Sequence, residues 1–260
     1  MDASELYDPE FRELIKSKKP MVIIPVGSLE QHGAHLPITT DSDIVTEIAS
    51  RLAKKCGFIV FPTVSYGISI EHQPLFETSI QNDTYREFLL DIVTSLSWPE
   101  PWDDHESVII LNGHHGNVEA LNQLQDEKMG YGAYDESNME VKDGIFKMPK
   151  CYSYWHFMKH EFDHAGFVET SIMLAISDKV KMKKAKKGLI TNGMSEKEKK
   201  RISKLSTEQA GFPKVAKNGV WGDPTKATKK DGEKFLAEIV RNLAKEQLEF
   251  YAQPRTVAEI

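Results

Sequence analysis

Cysteine is almost absent: the 260 residues hold only Cys56 and Cys151, and neither sits in a Cys-x-x-Cys pair. A disulfide framework is excluded, and the two thiols read as reduced core residues of a cytoplasmic protein. Long apolar runs are missing as well. Nothing approaches the ~20 residues that span a bilayer, and the opening Met1-Asp-Ala-Ser-Glu-Leu is too acidic and polar for a signal peptide. Basic excess is lacking too. A formal net charge of −6 gives no cationic face for nucleic acid. No nucleic-acid partner and no membrane are therefore expected. Repeats and linker-like stretches are also lacking, so residues 1–260 read as a single domain long enough to bury a substantial core.

What is present is a set of short β-branched runs, each followed by punctuation. Val22–Val26 ends at Gly27 and reads as a buried strand. A helix over 41–55 follows, with Ile44, Val45, Ile48, Ala49 and Leu52 on one face and Gly57 closing it. Residues 58–61 form the next strand, and strand–helix–strand in this order implies a parallel sheet with a right-handed crossover. Helices are expected over 8–19, over 83–97, after Asn117 as cap, from Glu169, and along the amphipathic stretch Phe235–Leu248. Further strands are expected at 108–111, near 140–146 and near 149–155, with Trp98–Trp102 as a rigid turn. The fold class is α/β.

The chemistry concentrates after the first strand, in Gly27-Ser-Leu-Glu30-Gln-His32-Gly-Ala-His35-Leu-Pro and the following Asp41. Glu30 and His32 are two apart, so in extended backbone they point the same way, a start for a divalent-metal site. Asp41 has an ordinary reading as the N-cap of its helix. Its sharper reading is a carboxylate folded back over the pocket. A second cluster, Asn112-Gly-His114-His115-Gly116-Asn117, follows the strand at 108–111. Loops at the carboxyl ends of parallel strands share one crevice, so the two clusters are expected to meet.

Other features are weaker. The loop 64–80 carries Tyr66, Glu71 and His72, and its length suggests work at the site. His156, His160 and His164 fall at intervals of four and would stack on a helix, although Asp163-His164-Ala-Gly166 looks like a loop. Glu169 falls in the first turn of its helix, where the dipole alone would favour an acid. The Lys-rich segment 179–201 reads as a solvated face, with contact to a substrate phosphate or another subunit as the sharper reading.

These motifs resemble the creatininase (creatinine amidohydrolase) family. The resemblance rests on Gly27–Pro37 with Asp41, on Asn112–Asn117 and on His164-Ala-Gly-Phe-Val-Glu169-Thr-Ser171. Fainter echoes lie in Tyr66–His72 and Gly219-Val-Trp-Gly-Asp-Pro224. It implies a three-layer α/β/α fold with a mostly parallel sheet, a homo-oligomer such as a hexamer, and two divalent metal ions per chain. Zn, Mn or Fe(II) would suit the ligands Glu30, His32, Asp41, His114 and Glu169. Asp41 would bridge, with Glu30 and His114 on one ion and His32 on the other, and a shared water would be acidified towards ~7. His164 is the implied acid/base group, Glu169 a second catalytic candidate, and His35 an orienting residue behind a ligand. His115, His72 and Tyr66 are the substrate-binding candidates. The chain departs from creatininase at three places: Gly116 replaces an acidic ligand, His115 a substrate-contacting Tyr, and His160 a substrate-flanking Trp. The partner implied is a small-molecule substrate, and the expected activity is hydrolysis of a C–N bond in a small, cyclic amide. A formylaminopyrimidine deformylase, opening of a cyclic inositol diketone, and a non-catalytic metal-holding protein are the alternatives.

Overall fold

The structure is a computed structural model that describes residues 1–18, 20–96, 107–126, 129–134, 141–146 and 148–252. Its helices are α1 (Asp8–Lys18), α2 (Thr40–Cys56), α3 (Asn82–Ser95), α4 (Val118–Asp126), α5 (Phe167–Ile176), α6 (Glu196–Ser206), α7 (Phe212–Val215) and α8 (Lys229–Ala252). Its strands are β1 (Val22–Val26), β2 (Leu29–Glu30), β3 (Ile59–Val60), β4 (Glu77–Thr78), β5 (Val108–Asn112), β6 (Met129–Tyr134), β7 (Val141–Phe146) and β8 (Lys150–Ser153). The main sheet runs β3-β1-β5-β8, and all three pairings are parallel.

Alternation along the strands makes the three layers. Ile23 of β1 and Ile109 and Leu111 of β5 pack with α2, α5 and α8 on one face. Val22, Ile24 and Val26, with Val108 and Ile110, pack with α3 and α4 on the other, and Phe11 and Leu14 of α1 join them. Both strands are buried along their whole length, so each of their Val, Ile and Leu side chains contributes roughly 1.5–3 kcal/mol of burial. The fold is the expected three-layer α/β/α arrangement.

The register of β1 with β5 aligns their ends: Val26 pairs with Asn112, and the Gly113 N–H donates to the Val26 carbonyl at 2.8 Å. The two ligand-bearing loops therefore leave the sheet side by side, on either side of the point where chain order reverses. Gly113 also lets α2 come close. A Cβ there would stand 2.7 Å from the Asp41 carbonyl oxygen and 2.8 Å from Val45 Cβ.

Several local expectations change. Phe58 is not strand, because its N–H closes the α2 terminus on Ala53 O, beside Gly57 at φ 77°. The stretch read as strand to 155 stops at Ser153 and turns through a 3₁₀ segment, Tyr154–Phe157. The loop 64–80 is not structureless: it holds a 3₁₀ turn, Ile70–His72, and β4 pairs antiparallel with β2. The α2 helix starts at Thr40, so Asp41 lies inside the first turn rather than at the cap. The Trp98–Trp102 turn and Glu140 lie outside the described residues, while β7 pairs with β6.

Asn117 does not cap α4 but ties three loops. Its Oδ1 accepts from the Ile68 N–H at 3.0 Å, and its Nδ2 donates to the Gly27 carbonyl at 3.0 Å and to Asn112 Oδ1 at 3.3 Å. Asn117→Ala leaves these buried groups unpaired, and the expected loss is roughly 2–4 kcal/mol of unfolding free energy. Urea denaturation checks it; a loss under ~0.5 kcal/mol would mean water replaces the amide.

Candidate metal centre

Five side chains from four segments meet at the carboxyl end of the sheet. Glu30 and His32 come from the loop after β1, Asp41 from α2, His114 from the loop after β5 and Glu169 from α5; all are at most 3 % exposed. Asp41 divides them. Its Oδ2 lies 3.0 Å from His114 Nδ1, which is 3.3 Å from Glu30 Oε2. Its Oδ1 lies 3.0 Å from His32 Nε2, which is 3.6 Å from Glu169 Oε2. Two groups of three donors thus share one carboxylate: Glu30, Asp41 and His114, and His32, Asp41 and Glu169.

Backbone carbonyls fix both imidazoles in the tautomer a cation needs. His114 donates from Nε2 to the Ile68 carbonyl at 2.8 Å, which leaves Nδ1 as the nitrogen facing Glu30 and Asp41. His32 donates from Nδ1 to the Glu30 carbonyl at 3.2 Å, which turns its Nε2 towards Asp41 and Glu169. Ser28 Oγ steadies Asp41 by donating to Oδ2 at 2.7 Å. A relay holds Glu30: the Gly33 N–H donates to Gln31 Oε1, Gln31 Nε2 donates to His72 Nδ1 at 2.9 Å, and His72 Nε2 lies 3.1 Å from Glu30 Oε1.

The electrostatics follow from burying acids beside bases. Burial pushes the Glu30 carboxyl up, but His114 and His72 outweigh it and hold it well below the usual range. Burial also opposes ionisation of Asp41, yet His32 and His114 keep it well below the usual carboxylate value. Burial pulls His32 down, but Asp41, Glu169 and Glu30 raise it to about 10. His114 is likewise raised well above the ordinary imidazole value, against its burial, by Glu30 and Asp41. Glu169 rises well above the carboxyl range through burial and the nearby Asp41 and Asp163 charges. Among the described residues, both Glu30 oxygens and Glu169 Oε1 are buried without a well-directed hydrogen bond. Carboxylates with unspent lone pairs beside imidazoles of fixed tautomer are donors suited to Zn, Mn or Fe(II).

Above this floor is a chamber of about 140 Å³. His164 lines it, 9 % exposed, with Nε2 donating to the Gln31 carbonyl at 3.1 Å and Nδ1 3.7 Å from Glu30 Oε1. Burial, with His32 and His72 close by, holds its pKa well below the ordinary value. His72 lines the chamber and contacts Glu30, while His115 stacks on Trp155 and Phe162 at its edge. Tyr66 is 55 % exposed and does not line the chamber. His35 faces Thr170 Oγ1 at 2.9 Å, outside these two donor groups and outside a third, Glu30, His32 and His164. The four-residue histidine stripe does not form: His156 and His160 are exposed, and only His164 reaches the centre.

Several chamber residues carried little signal in sequence. Glu71 and Trp221 stand inside the motifs without an obvious role. Ser203, Ser206 and Thr207 at the end of α6, and Phe212 of α7, form a roof. The Lys- and Glu-rich start of α6 had marked the segment as solvated, yet its final turn closes the site. Trp221 is held by paired backbone hydrogen bonds with His164, at 3.1 and 2.8 Å.

Comparison with known proteins places these features in a wider set. The family profile described as "Creatininase: Creatinine amidohydrolase" matches residues 4–246. The mycofactocin precursor peptide peptidase of Mycobacterium ulcerans (strain Agy99) is 33 % identical, over 87 % of this chain and 84 % of that protein. The creatinine amidohydrolase of Pseudomonas putida is 27 % identical, over 66 % of this chain and 70 % of its own length. A solved structure described as creatininase Mn superposes with a TM-score of 0.70 at 22 % identity, covering 96 % of this chain and 98 % of the other.

Two outcomes test the centre. Asp41→Ala is expected to lose about two ions per chain, and Glu169→Gln only the one on the His32 side, measured by elemental analysis after dialysis. Loss of a single ion from Asp41→Ala would make Asp41 a terminal ligand. Because an incoming cation displaces the protons that the carboxylates hold on His32 and His114, loading should release protons. Apparent affinity should therefore fall as the medium is made more acid; titration in weakly buffered indicator dye reads both, and uptake without proton release contradicts the assignment.

Proposed function

The chain belongs to the creatininase family, and on that premise we propose that it is a metal-dependent amidohydrolase cleaving an amide C–N bond. The observation that carries the reading is the pair of donor triads sharing Asp41 at the floor of the chamber, with His164 beside them. Glu30, Asp41 and His114 would hold one divalent ion, and Asp41, His32 and Glu169 the other. When bound, such ions acidify an attacking water and polarise the amide carbonyl.

The chain's own groups supply the rest. His164 is anchored through Nε2, so Nδ1 is the atom available for proton transfer. Its depressed pKa leaves it neutral, able to take the water's proton and return it to the departing nitrogen. His72 positions Glu30. Phe212 packs on His164 and His72, with ring centroids at 4.8 and 4.5 Å, and excludes bulk water from above. His115 stands where a substrate enters.

A compact cyclic amide fits the chamber alone. A second reading is favoured by a trough of about 450 Å³ that shares Phe162, Asp163 and Trp221 with the chamber. It offers room for a chain continuing from the scissile amide, in keeping with the similarity to mycofactocin precursor peptide peptidases. Metal-loaded protein should be screened against creatinine, formamides, cyclic amides, short peptides and cyclic diketones. Turnover of diketones but no amide would reject the C–N reading. His164→Asn is expected to lower kcat by about 10²–10⁴-fold with metal content unchanged. Full activity in that variant would remove His164 from the proton path.

A further inference from the structure

Ala165, between His164 and the start of α5, has φ 51° and is one of two non-glycine residues with positive φ among the described residues. A side chain in this left-handed region is strained, and it persists only where the surroundings hold it. The conformation serves both neighbours. It turns the Ala165 N–H onto Glu169 Oε2 at 2.6 Å. It also bends the chain from His164, whose backbone is paired with Trp221, into α5 two residues later. Relaxing Ala165 would rotate the peptide that joins it to His164. The N–H would leave Glu169, and His164 would swing from its place 3.7 Å from Glu30.

What holds Ala165 is a buried pair outside the donor groups. His35 Nε2 lies 2.9 Å from Thr170 Oγ1, and Thr170 Oγ1 reaches the Ala165 carbonyl at 3.5 Å, the longer of the two bonds. The other ring nitrogen sets their direction. His35 Nδ1 is buried with no acceptor among the described residues, so a proton there would be stranded, and Nε2 carries it instead. His35 thus donates to the hydroxyl, whose own proton is left for the Ala165 carbonyl. Both partners are anchored by their backbones. The Lys181 N–H donates to the His35 carbonyl at 2.8 Å, and the Thr170 N–H donates to the Gly166 carbonyl at 3.2 Å. Gly33 leaves room for the ring, since a Cβ there would stand 3.1 Å from His35 Nδ1.

We propose that His35 and Thr170 are positioning residues: their relay to the Ala165 carbonyl latches the left-handed turn that aims His164 into the chamber and steadies Glu169. The effect on turnover rests on the amidohydrolase reading, and the latch itself on geometry. The resemblance places His35 behind a ligand; the structure places it behind a turn of backbone. The loop that carries His32 and the helix that carries Glu169 are joined through this latch, although it belongs to neither donor group. Position 165 keeps its methyl because the side chain is buried in the core that also holds Val168 and Ile172. Glycine would take the same turn without a latch and would leave that space unfilled.

The test uses full-length protein in saturating zinc, with amide hydrogen exchange at position 165 followed by NMR and kinetics on an amide from the activity screen. Thr170→Val keeps the shape and removes the hydroxyl. It should speed exchange at 165 about tenfold or more, and lower kcat about 10–100-fold with KM within about twofold. Thr170→Ser, which keeps the hydroxyl, should stay within about threefold of wild type in both. Adding Ala165→Gly to Thr170→Val should restore both to within about threefold, because glycine needs no latch. Lost packing would not be cured by removing another methyl, so rescue separates a latch from a merely structural pair. His35→Phe cuts the relay at its other end and should show the same losses and the same rescue. Unchanged exchange in Thr170→Val, or a loss that Ala165→Gly leaves in place, overturns the proposal. Failure of both relay variants to fold overturns it too, by making the pair a core element. If the screen finds no amide turned over, the proposed reaction fails, and exchange with its rescue decides the latch alone.

Discussion

A single carboxylate holds the centre together. Asp41 is 2 % exposed, and an isolated charge in that position would cost several kcal/mol. Three groups offset the cost: Ser28 donates to one oxygen, His114 lies on the same oxygen, and His32 lies on the other. The first turn of α2 adds its positive dipole end. The position of that turn is in turn fixed by packing, because α2 can approach the β5 loop only where Gly113 carries no side chain. Sheet register, helix docking and donor geometry therefore converge on one pair of oxygen atoms. Displacing α2 by an ångström would separate the two triads.

A second layer of control lies in the main chain. The carbonyls of Ile68 and Glu30 decide which nitrogen of His114 and of His32 is free, so the loop path selects the tautomer without any added side chain. The 64–80 segment contributes twice, since it supplies both the Ile68 carbonyl and the carboxylate of Glu71. Above the floor, the described contacts are of another kind. Phe212 meets two imidazole rings, and the Ala210 N–H donates to the Ile70 carbonyl. The reacting groups are thus supported from beneath by hydrogen bonds and covered from above chiefly by ring contacts.

Much of this was legible in the chain. The runs 22–26 and 108–111 betrayed parallel strands because burial on both faces demands apolar residues throughout, here mostly β-branched. The Glu30–His32 spacing and Asp41 pointed to a shared pocket, and the structure brings them within reach of His114 and Glu169. What sequence could not supply was direction in three dimensions. Asn117 has the composition of a helix cap, but its amide is taken up by two other loops and by Asn112 at the start of its own. The spacing of His156, His160 and His164 suits a helix, but Gly166 and Asp163 build a loop there and leave two rings in solvent. The charged half of α6 hides the hydroxyl-bearing turn that faces the chamber. Glu71 was visible only as the neighbour of a histidine, since nothing local shows that it fills the space above Gly116.

The three-way grip of Asn117 has a consequence for how such a protein can diverge. The loops after β1, before β4 and after β5 share one amide, so a change in any of them is felt in the other two. The floor is inherited as a block or lost as a block. The segment from 195 to 216 is tied more lightly: among its described hydrogen bonds, Ala210 N–H to the Ile70 carbonyl and Gln209 to Gln73 reach the loop before β4, and the rest of it can be lengthened, shortened or recoloured while the reacting groups keep their places. Descendants of this scaffold would then share one reaction and differ in diet, with variation gathered in the roof and silence in the floor.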